Sequence, residues 1–400
     1  MRKLPGRRDA GARVPLQRSE GGLHFRAVPR SVFAAFVLAL ALSARGEPTT
    51  LNSHEVNGEG GVTFRYFGPA AKQVTLSLDY EVTPIPLRKG ADDVWTFTTK
   101  PLLPELHFYT LSVDGVAIYD PQNPLIKSNF IFKNNEVRVT GAIPQLWEVT
   151  DVPHGVLSRH TYASKIIKGL TVGQEEYYVY TPPGYDPAGS KVYPVLYLLH
   201  GWSGGADDWT ESGQVHLMLD NLIAQGRAVP MIVVMPQCYG AMSFVRDGFK
   251  AWEDPARIAE NIGLFDAALF QEIIPQVDRT YRTSSDRAIA GLSMGGGQSL
   301  IIGLNHPGYF GWIGAFSSAL PLEKFDGVFP KLTPPSAPQV LWIACGTDEA
   351  ESLAPTRKLV AWLKAKGLRP TAIETPGIHN WHTWRDNFVH FAPLLFAPPS

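Results

Sequence analysis

The chain has 400 residues, 44% of them hydrophobic and 18% charged, with a formal net charge of −1 at pH 7. That length accommodates two or three domains with a sizeable core, and the near balance of charge excludes the basic footprint of a nucleic-acid binder. Two cysteines, Cys238 and Cys345, are too few for a disulfide framework; each ends an apolar run and reads as a buried free thiol, and no Cys/His spacing or HExxH motif calls for a metal.

Residues 1–48 read as an export segment. Arg26 and Arg30 precede SVFAAFVLALALSA, which ends in small residues near Ala44, the order of a charged n-region, an apolar h-region and a cleavage site. The run is shorter than the roughly 20 apolar residues of a membrane span. The expectation is a secreted or periplasmic protein with no stable membrane insertion after cleavage; an uncleaved anchor is the alternative. The arginine-rich stretch before Pro29 is long for an n-region, as it would be if the true start codon lay downstream.

From 51 to 141 the runs VTFRYF (Val62–Phe67), VTLSL (Val74–Leu78), VWTFTT (Val94–Thr99) and FYTLSVDG (Phe108–Gly115) alternate apolar and polar residues between turn-forming residues. This predicts antiparallel strands in a small immunoglobulin-like β-sandwich. VTFRYFGPAAKQVTLSLD, the Gly90–Trp95 stretch and VDGVAIYDPQNP resemble the isoamylase N-terminal, family-48-like carbohydrate-binding modules. The resemblance implies sugar-stacking platforms at Trp95, Tyr109 and Tyr119, since an aromatic face packs well on a pyranose; a spacer with Trp95 in its core is the alternative.

Residues 142–155 have no period and read as a surface linker. From 156 to 398, VYPVLYLLHG, MIVVMPQ, RAIAGLS, WIGAFSSAL, VLWIACGT and PTAIETPG are continuous apolar runs, as in parallel strands buried on both faces. Amphipathic segments at Asn261–Tyr281 and Ser352–Lys366 lie between them. Strand–helix alternation predicts a doubly wound α/β sheet.

RAIAGLSMGGGQSL places Ser293 between Gly291 and Gly295 where a strand should turn into a helix. A G-x-S-x-G at such a junction is a nucleophile elbow: flanking glycines permit the close approach that lifts the hydroxyl above the sheet, and the helix N-terminus aims N–H groups where negative charge develops. A serine needs a base, and the base an orienting carboxylate. His379 follows Pro376-Gly377 just past a strand and is the candidate base, with His382 as its rival. Asp348 and Glu349 follow VLWIACGT, and either is a candidate acid or a helix cap. His200-Gly201-Trp202 ends another strand, so the backbone N–H of Trp202 is expected to join that of Met294 in an oxyanion hole, with His200 bracing the loop.

With these pieces assembled, the last 240 or so residues resemble the esterase-D/feruloyl esterase group of α/β-hydrolases, carbohydrate esterase family 1. The matching segments are YVYTPPGYD, YPVLYLLHGWSGGADDW, EIIPQVDRTYR, RAIAGLSMGGGQSL, HPGYFGWIGAFSSAL, the CGTDE loop and GIHNWHTWRDNF. The resemblance implies Ser293 as nucleophile, His379 as base, and Trp202 and Met294 as oxyanion donors. The family writes its acid loop as glycine, two residues, then Asp; counted from Gly346 that slot holds Glu349, with Asp348 beside it. MPQCYG departs from the family's Met-Pro-Asn-Gly, which draws attention to Gln237 and Tyr239, and with Trp381 these are expected to contact substrate. The implied activity is hydrolysis of feruloyl or acetyl esters of plant cell-wall polysaccharide without a cofactor. A siderophore esterase or acyltransferase of the same fold, in which the loop Pro321–Gln339 would shape the acceptor side, is the alternative, and a non-catalytic carbohydrate-binding protein is a further one. Removing everything before Val152 is expected to spare activity on small soluble esters.

Overall fold

The computed structural model describes residues 51–397 apart from 80, 82, 172–173, 320–324 and 333–336. The expected export segment and much of the Pro321–Gln339 loop lie outside the described residues. Ten short strands come first: β1 (His54–Val56), β2 (Val62–Phe67), β3 (Val74–Leu78), β4 (Ile85–Pro86), β5 (Arg88–Lys89), β6 (Val94–Thr98), β7 (Glu105–Val113), β8 (Val116–Ile118), β9 (Ile126–Lys127) and β10 (Asn134–Val139). They form two antiparallel sheets, ordered β1-β2-β6-β5 and β4-β3-β7-β10-β9, with β8 on β7. The period-two pattern turns Val62, Phe64, Val74, Leu76, Leu111 and Val137 into one shared core.

Two of the three expected sugar platforms belong to that core. Trp95 is 7% exposed and donates its indole N–H to the Gly68 carbonyl; Tyr109 is 1% exposed and donates its hydroxyl to Asp120. Neither ring offers a free face to a sugar. Tyr119 is half-buried, with the Lys133 ammonium 6.0 Å from its centroid.

The segment 142–155 does more than cross the surface. Trp147 is buried in a cluster that also takes Leu106 and Phe108 from β7 and Met218, Leu219 and Leu222 from helix α1 (Val215–Ala224). Asn221 of that helix donates to the Leu146 and Glu148 carbonyls, and Asp220 bonds His154 and the Gly155 N–H. The sandwich and the following unit therefore share apolar burial, at about 1.5–3 kcal/mol for each fully buried large side chain.

The remaining strands are β11 (Val156–Thr161), β12 (Glu176–Thr181), β13 (Tyr193–Leu199), β14 (Ile232–Pro236), β15 (Thr283–Leu292), β16 (Trp312–Phe316), β17 (Val340–Gly346) and β18 (Thr371–Thr375). They make one eight-stranded sheet in the order β11-β12-β14-β13-β15-β16-β17-β18. The first two strands are antiparallel to their neighbours and the rest run parallel. Both faces are covered, so the apolar runs are continuous. Along β13, Val195, Tyr197 and Leu199 face α2 (Pro255–Ala268), α3 (Ser293–Asn305) and α4 (Ala350–Ala365), while Leu196 and Leu198 face α1 and α5 (Trp381–Phe391). The fold class is α/β. The periodicity expected over Asn261–Tyr281 is realised as α2, capped by the Asp254 carboxylate on the Ala256 N–H, running through a π turn into a further helix at Ile274–Thr280. Among the described residues no helix is long and apolar enough to cross a membrane.

The strand order reverses direction at β13: β14 lies on one side of it and β15 on the other. Such a switch point opens a crevice at the carboxyl ends of the strands. Register brings those ends level, with Leu199 beside Gly291, Leu292 beside Phe316, and Gly346 beside Thr375.

Candidate active site

Ser293 leaves β15 with φ = 51°, in the left-handed region that non-glycine residues seldom adopt. The reason lies in the two flanking glycines. A Cβ on Gly291 would lie 2.6 Å from the Gly295 carbonyl group, and one on Gly295 would lie 2.5 Å from the His200 carbonyl oxygen. Only bare backbone fits, and the tight bend that results presents the hydroxyl at the start of α3. The strain at one serine is held by a buried strand before it and a buried helix after it.

The His379 loop meets this hydroxyl. Ser293 Oγ lies 2.9 Å from His379 Nε2, and His379 Nδ1 lies 2.7 Å from Glu349 Oε2. The second carboxylate oxygen, Oε1, accepts from Ser317 Oγ at 2.5 Å and from the Gly346 N–H at 2.9 Å. The imidazole side chain is 41% exposed and the carboxylate 1%, so the imidazole is open to solvent while the carboxylate stays dry. Burial alone would raise the Glu349 pKa; the hydrogen bond and charge of His379, with the bonds from Ser317 and Gly346, outweigh it and hold the carboxyl below its ordinary value. The carboxylate fixes the tautomer: Nδ1–H donates to Glu349, which leaves the Nε2 lone pair facing the serine hydroxyl.

Glycines again set the approach. A Cβ on Gly346 would lie 2.3 Å from the Gly377 carbonyl oxygen, so the acid loop and the histidine loop touch through backbone. Glu349 occupies the N-cap of α4 but makes no capping bond, its side chain being turned back to His379. The adjacent Asp348 is exposed, and its N–H donates to the Gly377 carbonyl. Of the two carboxylates read from the sequence, the structure brings Glu349 to the histidine and leaves Asp348 at the surface.

His382, the rival base, lies in α5, and burial pushes its pKa down to about 4. Asn380 caps α5 by accepting from the Thr383 N–H, which ends the histidine loop immediately after His379. The ring of Trp384 meets that of His379 edge-on at 5.0 Å.

The loop after β13 runs beside the elbow. An ideal Cβ on Gly201 would lie 3.5 Å from Ser293 Cβ, so the chain passes beside Ser293 one residue before Trp202. The Trp202 indole donates to the Phe244 carbonyl and its ring packs on Phe249 at 4.6 Å. His200 lies 1% exposed beneath the loop, with Nδ1 2.7 Å from the Gly201 carbonyl oxygen and Nε2 accepting from the Cys238 N–H at 3.0 Å and lying 2.6 Å from Gln237 Oε1. Burial lowers its pKa, so it is a neutral brace.

The three residues expected to contact substrate lie behind the site. Gln237 is 2% exposed and bonded to His200; Tyr239 is fully buried, its hydroxyl accepting from the Ser203 N–H; Trp381 is 3% exposed against Trp209. Each is spent on holding a loop, and none presents a face to a ligand. Cys238 and Cys345 are buried and free, as expected.

Two contributions escaped the sequence. Ser317, at φ = 48° just past β16, holds the far side of the Glu349 carboxylate. The second comes from the sandwich: Asn129 Nδ2 donates to Ser203 Oγ at 3.0 Å, the Phe130 N–H donates to the Ser203 carbonyl at 2.8 Å, and the Phe130 ring meets Tyr239. A cavity of about 340 Å³ adjoins this contact, lined by Phe130, Ile131, Gln174, Met242, Val245, Arg246 and Gly248. The expectation that the N-terminal residues are dispensable does not sit with these bonds to the loop that carries Trp202.

A model of the family described as "Putative esterase" matches residues 173–395. The endo-1,4-beta-xylanase/feruloyl esterase of Xylanibacter ruminicola is 32% identical over 351 residues, covering 85% of this chain and 45% of that protein. The chain spans less than half the length of the curated relatives it matches. Among solved structures, a CE1 ferulic acid esterase from the anaerobic fungus Anaeromyces mucronatus has a TM-score of 0.53 and 26% identity, over 64% of this chain and 96% of that one. The enterobactin esterase of Shigella flexneri has a TM-score of 0.61 and 18% identity over 84% of this chain and 93% of that one, a likeness of fold.

Proposed function

The chain belongs to the Esterase family, and from that premise we propose that it is an exported serine esterase that hydrolyses feruloyl esters of plant cell-wall polysaccharide. The observation that carries the serine chemistry is the unbroken relay Ser293–His379–Glu349, at 2.9 Å and 2.7 Å, with its acid excluded from water. In this reading Ser293 Oγ attacks the acyl carbonyl carbon as its proton passes to His379 Nε2. The backbone N–H groups of Trp202 and Met294 hold the oxyanion, where each donor is worth about 3–4 kcal/mol of barrier. The tetrahedral species expels the sugar alcohol, which takes the proton from Nε2 and leaves a Ser293 acyl ester. Water, deprotonated by the same nitrogen, then releases the carboxylic acid and restores the serine.

The choice of a feruloyl group is supported by the Xylanibacter relative and the fungal ferulic acid esterase, whose names carry that activity. It also suits the exposed rings of Phe130 and Phe249 around the Trp202 loop, since an aromatic acyl group gains from stacking and apolar burial. Residues 1–48 are read as the export segment and the sandwich as a carbohydrate-binding module; with Trp95 and Tyr109 buried, any sugar contact falls to other residues such as Tyr119.

Turnover of methyl ferulate, feruloylated xylan, acetylated xylan and a siderophore triester by the purified chain tests the reading. Feruloyl substrates should be preferred, and Ser293→Ala should abolish their turnover. A preference for acetyl or siderophore esters would overturn the acyl assignment, and equal rates in wild type and Ser293→Ala would overturn the serine mechanism.

A further inference from the structure

Asp79 directly follows β3, His107 lies in β7 and His382 lies in the first turn of α5, so the sandwich and the α/β unit meet at these side chains. His107 Nδ1 is 3.7 Å from Asp79 Oδ1, and His382 Nε2 is 3.8 Å from Asp79 Oδ2. One ligand atom from each residue lies within 4.8 Å of the other two. These separations exceed a hydrogen bond, yet the groups converge.

We propose that Asp79, His107 and His382 bind one divalent transition-metal ion, with Zn²⁺ the ion that fits best, and that the ion fastens the sandwich to the helix following His379. The donor set, two imidazole nitrogens and a carboxylate oxygen, is one that zinc takes. Tetrahedral zinc with ligands at about 2.0–2.2 Å holds neighbouring ligand atoms roughly 3.3–3.5 Å apart; the two separations from Asp79 need only a few tenths of an ångström of contraction, and the imidazole pair, within 4.8 Å, closes by rotation of the two rings. The rings are held from behind, as metal-bound imidazoles are. His107 Nε2 is 3.0 Å from the Leu103 carbonyl oxygen, which turns Nδ1 toward Asp79, and the His382 ring meets the backbone of Leu106.

The surroundings leave a place for a cation. Both Asp79 carboxylate oxygens and His382 Nε2 are buried without a hydrogen-bond partner among the described residues. Buried polar atoms in that condition are costly, and a missing ion or water is a usual reason. Two cations lie nearby and their charges act on Asp79, but neither hydrogen-bonds it: Arg385 pairs with Glu105 at 2.8 Å and donates to the Ser212 and Leu106 carbonyls, and the Lys127 ammonium lies over the faces of Phe108 and Trp381. Asn380, next to His379, donates to the Asp79 carbonyl at 3.4 Å, so an ion here would stiffen the loop that carries the base. The site uses neither Ser293 nor His379 and stands independently of the esterase reading.

The full chain, stripped with a chelator and titrated with zinc chloride by calorimetry, should bind one equivalent, with metal content confirming the ratio. Binding should weaken by at least about 100-fold in His382→Ala and in Asp79→Asn and survive in His379→Ala. The melting temperature should rise with zinc in the wild type and in His379→Ala and stay unchanged in His382→Ala. His107→Ala serves as a third ligand variant if circular dichroism shows it folded; the other two carry the test otherwise. Sub-stoichiometric binding, as expected if only a water occupies the cluster, or full binding in both His382→Ala and Asp79→Asn, would overturn the proposal.

Discussion

The two β regions of this chain divide the work between them. In the α/β sheet, β13, β15, β17 and β18 lead into the loops that carry Trp202, Ser293, Glu349 and His379, and parallel register keeps those loops level. In the sandwich, the antiparallel strands bury an ordinary alternating core, and the contribution to the site comes from the loop after β9, through Asn129 and Phe130. On the proposed mechanism the first region positions the reacting atoms, and the second holds Ser203, one residue from Trp202. Substitutions in the first should therefore act on the chemical step, and those in the second on how well its apparatus is aligned.

The largest expected effect is Ser293→Ala or His379→Ala, each lowering kcat on methyl ferulate by about 10⁴–10⁶-fold with little change in KM. Glu349→Gln should lower it by about 10³–10⁴-fold, because the amide cannot hold the imidazolium and favours the wrong tautomer, while Asp348→Asn should stay within about two-fold; comparable losses in the two would break the assignment. The same Glu349→Gln variant reports on stability. The folded pKa is depressed, so the carboxylate's contribution is present above its unfolded value near 4.3 and is lost as pH falls through the lower folded value. Melting curves from pH 7 to pH 3 should show that acid limb in the wild type and a shallower one in the variant.

Deleting 51–141 tests the second region. It removes Leu106 and Phe108 from the cluster shared with α1 and α5 and both bonds to Ser203. We expect a loss of at least about 100-fold in activity on small esters, on the scale that misplacing a catalytic group by 1 Å costs, with near-ultraviolet circular dichroism reporting the loosened packing. Full activity would return the sandwich to the role of a spacer. The smallest effect is Asn129→Ala, which removes the bond to Ser203 and the two that Asn129 Oδ1 accepts from the Ile131 and Phe132 N–H groups, each worth about 1 kcal/mol, and should lower kcat/KM several-fold while leaving the melting temperature within a few degrees.

What could be read from the sequence follows from how local its signals are. The elbow is legible because every residue that makes it lies within Arg287–Leu300, and the α/β class because buried parallel strands are continuous apolar runs. Glu349 was legible through the family's acid-loop spacing counted from Gly346, with Asp348 beside it as the rival; in the structure the two differ in the direction of a side chain at a helix N-cap. Gln237 and Tyr239 were expected, with Trp381, to contact substrate because MPQCYG departs from the family's Met-Pro-Asn-Gly; here the three meet His200, Ser203 and Trp209 instead. The Asn129–Ser203 bond and the Asp79–His107–His382 cluster join residues tens to hundreds of positions apart, where no motif spacing exists to be recognised.

The order in which these parts leave the ribosome gives the late position of His379 a consequence. Sandwich, elbow and acid loop are all synthesised before the base arrives, and domains fold largely as they emerge. On the proposed mechanism, a nascent or prematurely terminated polypeptide therefore carries Ser293 without a proton acceptor, and hydrolytic competence appears only once His379 has been added.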